Sequence, residues 1–328
     1  MNARRISKAL LACLGLLGFA AGFVSDAAAQ AKYPSRPIQL VCPWAAGGGT
    51  DRIARMVAVL LEKELGQPVT VVNRTGGSGA VGHTAGATAG PDGHTLTIVT
   101  IEITQMHWMG LTPLTFKDFT PVALLNIDPA GVQVAANAEW KTLKDLLAYV
   151  KANPGKAKAS GTGKGGVWDV ARAGMLKTAG IPVDALPWVP STGAATGLQE
   201  LVAGGVQVVT ASLPEGSSLI EAGKVRPLAI MADKRDPLFP NVPTLKEQGI
   251  DWTMGAWRGI ALPKGTSPEV VAVVERALEK VAKTPEFADF MKKNGFGVLW
   301  KRSGDFGKFM ADQDESMGKL MKEIGLAK

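Results

Sequence analysis

The 328-residue chain reads as an α/β protein with two lobes, and three observations predict it. Short apolar strands alternate with amphipathic helices, the pattern of sheets covered by helices. Two of the strand-to-helix turns are rich in glycine, which marks them as more than connections. Removing an N-terminal leader leaves roughly 300 residues, enough for two sizeable cores.

The leader carries Arg4, Arg5 and Lys8, an apolar run from Ala9 to Val24, and then Ala27-Ala-Ala-Gln-Ala31. That is the order of a secretory signal peptide over residues 1–31, with a mature terminus near Lys32. The run is too short and too early for a membrane span. Arg4-Arg5 hints at a twin-arginine signal and Leu10-Leu-Ala-Cys13 at a lipoprotein box, but their surroundings favour plain secretion. Cys13 leaves with the leader, so Cys42 has no internal disulfide partner; in an apolar strand it reads as packing. The formal charge is +7. Three bases and one acid leave with the leader, so +5 remains, which suits an anionic ligand. Lys and Arg are scattered among acids without a basic stripe, so nucleic acid is not an expected partner.

The chain is organised around Ile38–Leu61. Ile38–Cys42 reads as a buried strand stopped by Pro43. After it, Ile53, Met56, Val57, Leu60 and Leu61 recur at the spacing of one helix face. Between them lie Trp44, Ala46, Gly47, Gly48, Thr50 and Asp51, a glycine loop that lets a ligand approach free backbone N–H groups. Thr50 is the expected N-cap, with Asp51 in the first turn facing the positive end of the dipole.

Tyr33-Pro-Ser-Arg-Pro-Ile38, Pro43-Trp44-x-Ala-Gly-Gly-x-Thr50-Asp51, Leu65-Gly-Gln-Pro-Val69, Val72-Asn73-Arg74, Pro91-Asp92-Gly93-His94-Thr95-Leu96 and Pro240-Asn-Val-Pro-Thr244 resemble, in order, the Bug-type periplasmic solute-binding receptors of tripartite tricarboxylate transporters. The resemblance runs from about Tyr33 to the helix after Pro268. It implies a type II-like periplasmic binding protein, each lobe a mixed sheet flanked by helices, with a ligand cleft between the lobes. It also implies a small di-, tri- or aromatic carboxylate as ligand and the transporter's membrane subunits as partners. A monomeric periplasmic protein without cofactor or metal follows. The expected limits are 32–131 with 253–328 for one lobe and 132–252 for the other.

Taken in order, Val69–Val72 and Thr95–Thr100 read as strands, with Thr100 and Glu102 at the strand end where ligands gather in open α/β sheets. The resemblance implies small hydroxyl residues there; Thr100 fits and Glu102 departs. Val132–Ala136 is the expected first crossing between lobes. Thr142-x-x-Asp145 opens a helix as a capping box with a shorter acid. A second glycine loop, Gly163-Lys164-Gly165-Gly166 followed by Trp168, presents N–H groups from the opposite lobe, with Lys164 adding charge and Trp168 an aromatic wall. The resembling family carries a hydroxyl and a histidine where Gly166 and Asp169 stand. Thr192 and Ser212 complete the candidate contacts at a later loop and strand end. Trp252–Leu262 is the expected second crossing, and Pro268–Ala282 an amphipathic helix. No arginine falls within these loops, Arg52 and Arg74 being nearest.

Two other readings compete. A secreted enzyme would need a nucleophile–base pair or a metal cluster, and neither a G-x-S-x-G elbow nor a histidine–cysteine cluster is present. A secreted or periplasmic dinucleotide-dependent oxidoreductase is suggested by Gly77-x-Gly79-x-x-Gly82 after a strand, with Glu102 about twenty residues on as the ribose acid. Gly86, Gly90 and Pro91 leave only about two helical turns after that loop, short for such a unit.

Overall fold

A computed structural model describes residues 33–328; the leader and its cleavage point lie outside them. At the centre of one lobe lies β1 (Ile38–Cys42), with β2 (Val69–Asn73) and β3 (Thr95–Thr100) parallel on its two sides. Four of the five β1 residues are buried, as both faces of a parallel strand are covered by helices. One cover is α1 (Gly49–Leu65), which buries Ile53, Val57, Leu60 and Leu61 and ends at Gly66 in the left-handed conformation. The other is the short α2 (Ala80–Ala87).

The next strand in sequence, β4 (Phe119–Ala135), joins the lobes. Phe119–Pro129 pairs antiparallel with β8 (Gly255–Pro263), which in turn pairs with β3. From Ala130 onward the same strand pairs with β6 (Val208–Ser212) and β7 (Val225–Ile230). A short crossing strand over Val132–Ala136 was expected; the structure has a longer one, starting at Phe119, that changes partners. Pro129 stands at the change, where its missing N–H costs no ladder bond. The chain returns at Met254, whose carbonyl accepts from Ala130 N at 2.8 Å. Among the described residues the sheet order is β2-β1-β3-β8-β4-β6-β5, where β5 is Ala159–Ser160, with β7 and β9 (Val298–Arg302) also on β4. The half-exposed β9 has no alternating pattern and was not foreseen.

In the second lobe lie α3 (Leu143–Ala152), β5 (Ala159–Ser160), α4 (Val167–Thr178), α5 (Ala194–Ala203) and α6 (Leu213–Glu221). The capping box of Thr142 and Asp145 forms as the spacing predicts. The C-terminal stretch returns to the first lobe as α7 (Pro268–Ala282), α8 (Pro285–Asn294) and α9 (Ser303–Glu323). One buried core gathers β1, β3, α1 and α7. Another runs from the second lobe through Val99, Ile101 and Met106 to Phe306, Met310 and Met321 of α9. This second core is continuous from one lobe into the other.

Candidate ligand cleft

The two glycine loops have the same geometry. Gly47 (φ 82°) precedes Gly48 (φ −73°, ψ 170°) and then α1; Gly165 (φ 69°) precedes Gly166 (φ −69°, ψ 171°) and then α4. Three residues past each cap stands an aspartate. Asp51 accepts from Gly47 N at 2.9 Å and pairs with Arg55 at 2.9 Å. Asp169 accepts from Gly165 N at 2.9 Å and pairs with Arg172 at 2.5 Å. Each loop is thus tied back onto its own helix, and the positive φ at Gly47 and Gly165 is what the tie requires. Gly48 is therefore the N-cap of α1, without a side-chain bond, and the expected cap by Thr50 does not form. The Thr50 hydroxyl accepts from Arg258 Nε at 2.9 Å instead.

Between the lobes lies a space of about 20 Å³, room for roughly one water. Of the residues named from sequence, Trp44, Gly48, Thr50, Thr100, Glu102 and Trp168 line it. Asp51, Gly165 and Gly166 frame the loops rather than the cavity, while Ala46 and Gly47 are exposed on the first loop. Gly163, Lys164 and Thr192 line an outer mouth of about 350 Å³ together with Trp44 and Gly76–Gly79. Lys164 is exposed, and its carbonyl, not its ammonium, makes the contact there, accepting from the Ser78 hydroxyl at 2.8 Å. The cation expected at Lys164 is thus not brought to the cavity. Ser212 is buried behind it, donating to Glu215 Oε2 at 3.3 Å.

The cation at the cavity is Arg258, on β8, which the sequence reading missed. It is 2 % exposed and reaches Asp128 Oδ2 and Asn126 Oδ1 at 2.5 Å each, with Glu215 Oε1 at 3.4 Å. Burial alone would lower its pKa; the charges of Asp128 and Glu215 outweigh that and hold it raised. Two buried acids complete the lining, and they are arranged reciprocally. Glu215, from the second lobe, accepts from Gly49 N at the start of α1 at 3.1 Å. Glu102, from the first lobe, accepts from Val167 N at the start of α4 at 3.1 Å. The helix starts expected to receive a ligand carboxylate each hold a carboxylate of the opposite lobe. The Thr100 hydroxyl also donates to Glu102 at 2.5 Å and receives the Trp44 indole N–H at 3.3 Å.

Burial raises Glu102 and Glu215 above their ordinary 4.5, and the bonds from Thr100 and Val167 and the charge of Arg258 offset only part of this. The native state then keeps the proton longer than the unfolded chain. The contribution to stability is full below 4.5 and is lost as pH rises through the folded value. Fully buried His83 runs the other way: burial pushes it down to about 4, so its contribution is lost as pH falls below 6.5. Because the signs oppose, a difference is the measurable quantity. Glu102→Gln should exceed the wild type in melting temperature most at pH 8, and the gap should close towards pH 5. A gap constant across that range would mean that Glu102 does not titrate in it.

The Gly77-x-Gly79-x-x-Gly82 loop has another explanation. Gly77 and Gly79 take positive φ (57° and 90°), and a Cβ on Gly82 would lie 2.5 Å from Pro43 Cα. His83 holds the Gly79 carbonyl at 2.8 Å through Nδ1 and accepts Thr100 N at Nε2. The glycines serve close packing of α2 on β1. The supposed ribose acid, Glu102, is turned into the cleft between the lobes, so the dinucleotide pattern loses its partner. Cys42 is buried, its thiol pushed up to about 12 by burial, as a packing residue would be.

Two lobes joined by strand crossings, with helix starts facing a cleft between them, define a periplasmic binding protein fold. The model of the tripartite tricarboxylate transporter family receptor matches residues 53–326, and the chain belongs to that family. A Cupriavidus necator protein of the gbd 5' region is 33% identical, over 98% of this chain and 95% of its own length. BugT of Bordetella pertussis is 27% identical over 96% and 97%. Among solved structures, BugD superposes with a TM-score of 0.83 at 28% identity, over 90% of this chain and all of that one. MatC of Rhodopseudomonas palustris, solved with bound malate, gives 0.82 at 27%, over 88% and 99%. A Polaromonas TctC solute-binding protein solved with no ligand gives only 0.64 despite 35% identity, over 89% and 99%.

Proposed function

We propose that this protein is a periplasmic receptor, not an enzyme, that captures a small carboxylate between its lobes and delivers it to the membrane subunits of a tripartite tricarboxylate-type transporter. The observation that carries the reading is the cavity itself, where the starts of α1, α4 and α5 meet the buried Arg258. Malate bound to MatC and adipate bound to a second R. palustris protein, at a TM-score of 0.84 and 26% identity, support a carboxylate as the ligand class. The receptor works as a cofactor-free monomer with lobes over 33–131 with 253–328 and over 132–252. The partner change along β4 and the return at Met254 support those limits.

Capture requires the lobes to part and close, since a space for one water does not admit a carboxylic acid of several atoms. The lower superposition on the Polaromonas protein is what lobes set at a different angle would give. A thermal-shift screen of mono-, di-, tri- and aromatic carboxylates tests the reading. Gly48→Val provides its control. Gly48 has an ordinary negative φ, and a Cβ there meets only Ala45 O at 3.5 Å, so the protein should fold. Side-chain methyls beside the cavity should then weaken any hit on the order of tenfold. Unchanged affinity in folded Gly48→Val would show that this loop is only a turn.

A further inference from the structure

The charged side chains lining the cavity are Arg258, Glu102 and Glu215, and the arginine is already engaged. Its Nε and Nη1 are spent on Thr50, Asn126 and Asp128, and its Nη2 faces Glu215. With Asp128 counted, three acids stand around Arg258; Arg52 lies within electrostatic reach of Glu215 but does not line the cavity. We propose that the solute carries an N–H-bearing cationic group besides its carboxylate, an amino-carboxylate rather than a dicarboxylate, and that Glu102 and Glu215 select it. The proposal rests on the reading of the cleft as a carboxylate site.

Burial raises both glutamates, so a cationic ligand group would have to draw them into the ionised form, in which a carboxylate offers about four acceptor positions. Glu102 uses two, on Val167 N–H and the Thr100 hydroxyl, and so keeps capacity for a ligand N–H. Glu215 accepts from Gly49, Ser212 and, at the longer 3.4 Å, Arg258. The rings of Trp44 and Trp168 add aromatic surface, which favours a cation in a desolvated site. A place for the ligand's carboxylate remains. Helix α5 begins at Ala194 with no side-chain cap, and Gly193 and Ala194 line the cavity. Also in the lining, Trp257 is 1% exposed and its indole N–H has no partner. A buried N–H left unpaired is costly, and a carboxylate oxygen would satisfy it. The cavity thus offers two acids for a cation, and a free helix start with an indole donor for an anion. A second carboxylate in the ligand would have to face Glu102 or Glu215 at close range.

Matched pairs that differ only in this feature decide it. We name 3-aminopropanoate against succinate, 4-aminobutanoate against glutarate, and 4-(aminomethyl)benzoate against 4-(carboxymethyl)benzoate, titrated calorimetrically at pH 7.5. The amino-carboxylate should bind at least tenfold tighter in every pair that binds, and Glu102→Gln with Glu215→Gln should erase most of that ratio. Should the double variant fail to fold by circular dichroism, Glu102→Gln alone should reduce the ratio. Equal or tighter binding of the dicarboxylates overturns the selection by the glutamates while leaving the carboxylate reading intact. Binding by neither member of any pair overturns both. A preference that survives the glutamine substitutions overturns the assignment to these two residues.

Discussion

An Arg258→Met protein should lose about 3–5 kcal/mol of folding stability, the cost of removing one partner from a buried ion pair. Methionine fills much of the arginine's volume, so the loss would not be that of a cavity. It would come from Asp128 and Glu215, both buried beside a cation that is no longer there. Asp128 would keep its bonds from Asn126 Nδ2 and Gly297 N, at 2.9 and 2.8 Å, which are neutral donors and hold a buried charge less well. Urea denaturation should show the midpoint falling by about 1 M or more. Adding Asp128→Asn to Arg258→Met should recover part of the loss, because it removes the uncompensated anion. A loss below about 1 kcal/mol, or no recovery in the double variant, would mean that the network contributes little. Binding should also fail, because Arg258 holds Thr50 and Glu215 at the start of α1.

What the sequence made legible was local. The β1–loop–α1 unit follows from the stop at Pro43, the glycines and the helix-face spacing, all within about 25 residues. The capping box at Thr142 and the start of α7 at Pro268 are equally short-range. One short-range reading went wrong, and a second was incomplete, for reasons within the same stretch. Thr50 looked like a cap, but the extended backbone at Gly48 already starts the helix. Asp51 stands in the first turn of α1, as read, and it also ties its loop through Gly47, as Asp169 does through Gly165. The repeated spacing Gly-Gly-x-x-Asp, at Gly47–Asp51 and Gly165–Asp169, was a signal that could have shown this.

The ionic heart of the cleft was not legible in the same way. Glu215 meets Gly49 across 166 positions of sequence, and Arg258 meets Thr50 across 208. In sequence Glu215 is an ordinary first-turn acid after Pro214. Arg258 did carry one hint, as a lone charge inside an otherwise apolar strand, which is tolerable only when paired. The hint says that a partner exists and leaves its identity to the fold. Glu102 was picked out as a departure from small hydroxyl residues, and its bond to the opposite lobe gives that departure a structural meaning.

The contact at the cleft mouth supplies a direct way to hold the lobes apart. Gly163, on the second lobe, faces the loop of Ser78 on the first. A Cβ on Gly163 would lie 2.7 Å from Ser78 Cα and 2.8 Å from its Cβ, closer than side chains pack. Gly163 has no positive φ, so its own lobe should accept valine without backbone strain. The clash falls on the joined state alone, and a valine wedge should oppose it by the upper end of an overpacking cost, about 3 kcal/mol. Since capture ends with the lobes closed again around the ligand, and these mouth loops meet on closure, the apparent affinity of any carboxylate found in the screen should fall on the order of 100-fold. Solution scattering separates this from damage to the site. Wild-type protein with saturating ligand should contract, whereas Gly163→Val at the same ligand concentration should keep the larger radius of gyration. Melting curves of the two ligand-free proteins should stay close, because each lobe keeps its core. If Gly163→Val binds as tightly as wild type and contracts equally, the two loops do not meet in the liganded protein, and closure takes place elsewhere along β4.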